Sequence, residues 1–113
     1  LNAQEVSRLS AAYDVTGIHL FCLEEALEVT ARCRNFAPAC GIDEESATGT
    51  SNGALTWYLR RHGLIKPGEI NCFIQGEAMG KPSMIKTIFD EKEEKPRIRV
   101  GGTAVIVLKG ALV

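Results

Sequence analysis

The sequence predicts an α+β fold in which strands wrap around one central, mostly buried helix at about 48–62. Three observations carry that expectation. Short segments of alternating or β-branched apolar residues recur along the chain, separated by turn residues. One long stretch, 47–63, switches to a helical pattern that is apolar nearly all round between Ala54 and Leu59. The 113 residues are 45% apolar and 24% charged, the proportions of a folded globular domain. The length suits one domain, 1–113, able to bury about 65% of its unfolded surface.

Taken in order, Asn2 is placed to cap a first helix whose Val6, Leu9 and Tyr13 form one apolar stripe. Residues 14–17 end it. Residues 16–22 read as a strand and 27–36 as another, where Val29, Ala31 and Cys33 alternate with Thr30, Arg32 and Arg34. Pro38 and Gly41 mark the turn that follows. The helix of 47–63 should bury most of its circumference. Arg60, Arg61 and His62 complement the negative end of its dipole, and Gly63 suits a left-handed cap. After Lys66-Pro67-Gly68 come three β-rich stretches, 70–75, 84–89 and 96–113, with the charged run 90–95 as a solvated loop.

Charge and composition exclude several classes. Thirteen basic and 14 acidic residues leave a net charge of −1, without the positive footprint that nucleic-acid binding needs. The longest apolar run, 104–108, has five residues, so no membrane span is expected, and no signal-peptide pattern is seen. Cys22, Cys33, Cys40 and Cys72 make no C-x-x-C pair, which argues against a metal site. Cys22, Cys33 and Cys72 read as small buried hydrophobes; Cys40 lies in a turn. Unpaired thiols favour a reducing, cytoplasmic setting. His19, mid-strand, and His62, at a helix end, both read as structural. The first residue is Leu1, which fits a processed start or a piece of a longer protein.

Chemistry concentrates in the segment from Gly41 to Gly53, where Asp43, Glu44 and Glu45 precede a small-residue tract that opens the helix. The first turn of a helix has N–H groups without intrahelical partners, and the dipole makes that end positive. Glycine and short hydroxyl side chains let an anion approach those donors. Thr48, Gly49, Thr50 and Ser51 could therefore hold a carboxylate or phosphate. An ordinary capped helix start, with Thr50, Ser51 or Asn52 satisfying its own helix, explains the same residues.

Larger blocks carry a resemblance. Arg34-Asn35-Phe36-Ala37-Pro38, Gly41-Ile42 and Glu44-Glu45-Ser46-Ala47-Thr48-Gly49-Thr50 resemble the second half of the PhzF family of phenazine biosynthesis. Its pattern there is roughly R-x-F-A-P…G-[IV]-x-E-D-P-A-T-G-S. Gln75-Gly76-Glu77-Ala78-Met79-Gly80-Lys81-Pro82-Ser83 is similar to the family's Q-G-x-x-M-G-R-P-S, and Val100-Gly101-Gly102-Thr103-Ala104 with Gly110 to its V-G-G-x-A…G ending.

The resemblance implies one lobe of a diaminopimelate-epimerase-like fold, with the site in a cleft between two lobes. It implies a cofactor-free, metal-free isomerase that shuttles a proton within a small carboxylate-bearing metabolite. The proton carrier of the family belongs to the first lobe, so a complementary N-terminal lobe, on the same or a separate chain, is the expected partner. A homodimer of the full protein is expected too, with no nucleic acid and no membrane. By position, Glu45 is the catalytic candidate, and Thr48, Gly49, Thr50, Ser51, Gln75 and Gly76 are the substrate-binding candidates. Glu45-Ser46 stands where the family has Asp-Pro, Thr50 replaces Ser, and Lys81 replaces Arg. Two-thiol epimerases of the same fold carry a cysteine where this chain has Thr48, and a threonine hydroxyl does not ionise near neutral pH. The rival reading is a non-catalytic binding lobe for an acidic ligand or partner.

Overall fold

A computed structural model describes residues 2–25, 28–92 and 94–113. Asn2 caps the first helix, α1 (Ala3–Ala12), accepting the N–H groups of Gln4 at 3.0 Å and Glu5 at 3.2 Å. The buried face of α1 is Val6 and Ser10, with Leu9 half-buried. Tyr13 lies past the helix end and is exposed, so the apolar stripe is shorter than its spacing suggests. α1 rests on a 3-10 turn at Pro38–Cys40.

The chain then builds one mixed sheet from β1 (Ile18–Leu23), β2 (Ala31–Ala37), β3 (Ile42–Glu45), β4 (Ile70–Gln75), β5 (Ser83–Asp90) and β6 (Arg97–Gly101). A second helix, α2 (Gly49–Arg61), follows β3. The order is β1-β2-β4-β5-β6, with β3 paired to β2. β1 runs antiparallel along one edge of β2, and the other edge is shared. β4 pairs in parallel with residues 31–33, and β3 antiparallel with residues 35–37. The parallel pair is possible because α2 supplies the long crossover it needs. Where β3 and β4 diverge, Glu45 stands opposite Asn35 and Gln75 opposite Cys33. That fork positions the site.

The acidic segment that forms β3 has low intrinsic strand propensity. Pairing overrides it: Glu44 meets Arg34 of β2 in a two-pronged ion pair with both bonds at 2.9 Å. The preceding strand begins at Ala31, later than the expected 27, and Leu27 lies outside the described residues. Residues 70–75 and 84–89 form strands as expected, joined to β6 by the charged loop. Of the stretch 96–113, strand structure covers Arg97–Gly101. Residues 102–113 are exposed and outside the sheet, because none of the described strands pairs with them.

Alternation sends Ala31, Cys33 and Asn35 of β2, Asn71, Phe73 and Gln75 of β4, and Ile85, Thr87 and Phe89 of β5 inward. α2 lays Asn52, Leu55, Thr56 and Leu59 over them. Leu55, Leu59, Ile65 and Phe73 form the core with Ala31 and Cys33. Each of the larger side chains contributes about 1.5–3 kcal/mol by burial. Thr56 donates to the Asn52 carbonyl at 2.8 Å, so the 2.6 Å contact between the Thr56 and Thr87 hydroxyls is donated by Thr87.

The helix is central, yet it buries a stripe and not most of its circumference. Trp57 is 43% and Tyr58 48% exposed. The sheet covers one side, and β1 and β6 are its two ends, so the opposite side of α2 stays open. Its aromatic rings find partial cover, Tyr58 edge-on to Phe21 at 5.8 Å and Trp57 tilted against Phe89 at 5.7 Å. The C-terminus is as the sequence suggests, with Arg60 and Arg61 in the last turn, His62 as cap and Gly63 at φ 68°. Cys33 is buried, Cys72 half-buried and Cys22 exposed, because Cys22 falls on the outward face of the edge strand β1. Among the described residues, no helix is long and apolar enough to cross a membrane.

Two glycines separate conformational strain from collision. At Gly76, with φ +88°, a Cβ would lie 2.3 Å from the Lys81 carbonyl oxygen. At Gly41, with φ +71°, it would meet nothing within 4 Å. Gly41→Ala should therefore cost about 1 kcal/mol, and Gly76→Ala about 3 kcal/mol or more, read as unfolding free energies in urea.

Candidate functional site

The site is assembled around Gln75, the last residue of β4, which is fully buried. Its Nε2 donates to the Glu45 carbonyl at 2.7 Å and to Thr48 Oγ1 at 3.0 Å. Its Oε1 accepts Asn52 Nδ2 at 2.8 Å, and the same Asn52 amide donates to the Thr48 carbonyl at 2.8 Å. One carboxamide thus ties the end of β3, the loop 46–48 and the first turns of α2 to β4. Gly76 presses the following turn against this loop, since a Cβ there would lie 2.8 Å from the Ser46 carbonyl oxygen.

Thr48 is the N-cap of α2, but its side chain makes no cap bond to its own helix. It donates instead to Glu45 Oε2 at 2.5 Å. The first helical bond runs from the Asn52 N–H to the Thr48 carbonyl at 3.2 Å. The N–H groups of Gly49, Thr50 and Ser51 therefore have no intrahelical acceptor, at the positive end of the dipole. Gly49 and Gly53 lie against β6, each with a Val100 methyl 3.4 Å from where a Cβ would stand.

Strand alternation sorts the three acids. Asp43 is exposed. Glu44 is engaged by Arg34, whose guanidinium bonds hold its carboxyl below the usual glutamate range. Glu45 is half-buried, and its Oε2 accepts two neutral donors, Thr48 Oγ1 and Asn35 Nδ2, the latter at 3.4 Å. Asn35 in turn meets His19 of β1, with Nδ1 3.0 Å from Oδ1. Burial lowers the pKa of His19, against the opposing effect of Asn35 and Asn52. His19 and Ser51 also line an open hollow of about 540 Å³ with Phe21, Ala54, Leu55 and Tyr58. A hollow of about 560 Å³ at the other end of α2, lined by Trp57, Arg61, Phe89 and the paired Arg60 and Glu91, has no contact with Glu45.

Among the candidates, Glu45 and Thr48 are in direct contact, and Gly49, Thr50 and Ser51 form the helix turn beside them. Gln75 and Gly76 lie beneath the loop, and every polar group of the Gln75 side chain is turned inward. Three residues of this network, His19, Asn35 and Asn52, are not singled out by the motifs. Asn35 and Asn52 carry a signal all the same: each is a polar residue on a stripe whose other members belong to the buried face.

A helix laid on one mixed sheet of six strands, with a carboxylate clamped at its start, is an α+β arrangement consistent with one lobe of a PhzF-like fold. The chain belongs to the phenazine biosynthesis-like protein family (PhzC-PhzF), whose family model matches residues 5–110. It is 36% identical to an uncharacterised isomerase of Clostridium acetobutylicum over 99% of this chain and 39% of that protein. It is also 36% identical, over 73% of this chain and 30% of the relative, to trans-2,3-dihydro-3-hydroxyanthranilate isomerase of Pseudomonas fluorescens. The isomerase YddE of Escherichia coli, itself uncharacterised, is 34% identical over 66% of this chain and 26% of its own length. The chain thus spans well under half the length of these relatives.

Two stability measurements follow. Thr48→Val keeps the shape but removes the hydroxyl, leaving Glu45 short of its closest donor; it should cost about 1–3 kcal/mol in urea unfolding. Glu44 binds protons less readily folded than unfolded, so its contribution is present above the ordinary glutamate range and lost as pH falls through and below it. Arg34→Gln should flatten that acid limb of the stability–pH curve, measured by thermal melts between neutral pH and pH of about 3.

Proposed function

We propose that this chain is the second lobe of a cofactor-free isomerase that moves a proton within a small carboxylate-bearing metabolite. The observation that carries the reading is the pairing of Glu45 with the uncapped start of α2, in a chain of a family whose relatives are named isomerases. The N–H groups of Gly49, Thr50 and Ser51 hold the substrate carboxylate, helped by the hydroxyls of Thr50 and Ser51. Glu45, fixed by Thr48 and Asn35, faces the reacting carbon from this side and holds or polarises the substrate. Gln75 and Gly76 shape the loop that presents it. The proton is removed and returned by a group on a complementary lobe, because such a group must come within about 3 Å of the carbon. The Pseudomonas relative's name describes an isomerase of a dihydro-hydroxyanthranilate, and a ring-bearing carboxylate of that chemical class is the first substrate to try.

The test is deuterium uptake from D₂O into the carbon-bound positions of the substrate, read by mass spectrometry for this chain alone and combined with its complementary lobe. Exchange is expected for the combination, with Glu45→Gln lowering it about 100-fold or more while the fold is kept. Binding without exchange would identify a non-catalytic lobe instead. Full exchange by the chain alone, as a verified monomer, would overturn the two-lobe reading.

A further inference from the structure

The sheet places three polar residues in one row: register sets His19 of β1 opposite Asn35 of β2, and Asn35 opposite Glu45 of β3. They are linked side chain to side chain, His19 Nδ1 to Asn35 Oδ1 at 3.0 Å and Asn35 Nδ2 to Glu45 Oε2 at 3.4 Å. We propose that His19 is a positioning residue for Glu45: through Asn35 it holds the carboxylate at the helix start, and the ionised carboxylate in turn dictates which ring nitrogen of His19 carries the proton.

The chemistry of the donors runs in one direction. An ionised carboxylate only accepts, so Asn35 must turn its NH₂ group toward Glu45. That leaves Asn35 Oδ1 for His19, and the imidazole must meet it with an N–H at Nδ1. In a neutral ring Nε2 is then a bare acceptor. His19 Nε2 is in fact buried without a hydrogen-bond partner, and so is Oδ1 of the fully buried Asn52. Asn52 neighbours the His19 ring and opposes the effect of burial on it. Its NH₂ group is spent on the Thr48 carbonyl and on Gln75 Oε1, so the oxygen is what it offers. A histidine serving packing alone would adopt the other tautomer and donate Nε2–H to Asn52, which would satisfy both orphaned atoms. That choice would turn Asn35 round and set its oxygen against the carboxylate. The two unpartnered atoms mark the penalty the network accepts to keep an N–H pointed at Glu45. The groups that act on the ring are Asn35 from β2 and Asn52 from α2, and Ser51 and Tyr58 of α2 line the same hollow as His19. The charged one is Glu45, one amide away.

The relay can be read by ring-nitrogen NMR of ¹⁵N-histidine-labelled protein. The chain has two histidines, so His62→Gln assigns the pair. At neutral pH His19 is expected as the neutral Nδ1–H tautomer. In Glu45→Ala the constraint on Asn35 is gone, and the ring should invert to Nε2–H; a merely structural His19–Asn35 bond would leave the tautomer unchanged. Nε2–H in the parent protein, protons on both nitrogens at neutral pH, or no change in Glu45→Ala would each overturn the proposal. The kinetic arm rests on the isomerase reading: His19→Leu should lower the maximal exchange rate about tenfold with KM within about twofold, and His19→Asn, which keeps a donor at the Nδ1 position, should restore most of it. Equal rates in His19→Leu and the parent would also overturn the proposal. Absence of exchange in the parent protein would sink the isomerase reading and leave the tautomer spectra to decide the relay.

Discussion

The arrangement depends on one buried carboxamide. Gln75 makes three hydrogen bonds at the fork of β3 and β4, two donated and one accepted, and the Asn52 amide it accepts from also binds the Thr48 carbonyl at the start of α2. A buried amide left unpaired costs about 1–3 kcal/mol for each missing bond, so the partners have little freedom to drift. Glu45, Thr48 and Asn52 come from a strand end, a loop and a helix, which ordinarily move independently. Here each is held against the same side chain. The close approach of Gly76 to Ser46 does the same from the backbone side. Precision at this helix start is thus set by packing and polar satisfaction beneath it.

With the geometry fixed, electrostatics distributes the work among adjacent acids. A strand turns neighbouring side chains to opposite faces, so Glu44 and Glu45 cannot share an environment. Glu44 meets Arg34 and becomes part of an ion pair that anchors β3 to β2. Glu45 turns to the neutral donors Thr48 and Asn35 beside the start of α2, with no cation against it among the hydrogen-bond partners of its carboxylate in the described residues. A carboxylate held by hydroxyl and amide groups keeps lone pairs free for a ligand. One neutralised by a bidentate guanidinium does not.

Much of the fold is legible in the sequence, for identifiable reasons. Residues 70–75 and 84–89 alternate cleanly because each strand has one face on the core, and Gly63 marks the helix end because a left-handed residue is needed there. β3 is not legible, since Asp43, Glu44 and Glu45 become a strand only through partners on β2 ten residues away in sequence. The exposure of Trp57 and Tyr58 is hidden for a similar reason. Residue type shows that the helix is apolar; which side the sheet covers is a property of the whole topology. The site divides the same way. Glu45 and the tract from Thr48 to Ser51 stand out locally, whereas His19 and Asn35 become meaningful only when register sets them side by side, and Asn52 only when α2 packs over the sheet.

The same network accounts for a residue pair that departs from the family pattern. Glu45-Ser46 stands where that pattern has Asp-Pro, giving a longer side chain on a backbone without the proline restraint. Both changes add freedom, and each meets a specific constraint. The longer side chain ends on the hydroxyl of Thr48, three residues on, and that bond together with the one from Asn35 restricts it. The Glu45 carbonyl is fixed by Gln75, and Ser46 by the turn at Gly76, so the main chain is restrained without a pyrrolidine ring. The position of the charge therefore comes from partners on β2, β4 and α2. A substitution at any of those partners should act on Glu45 as directly as a change within the acidic segment itself.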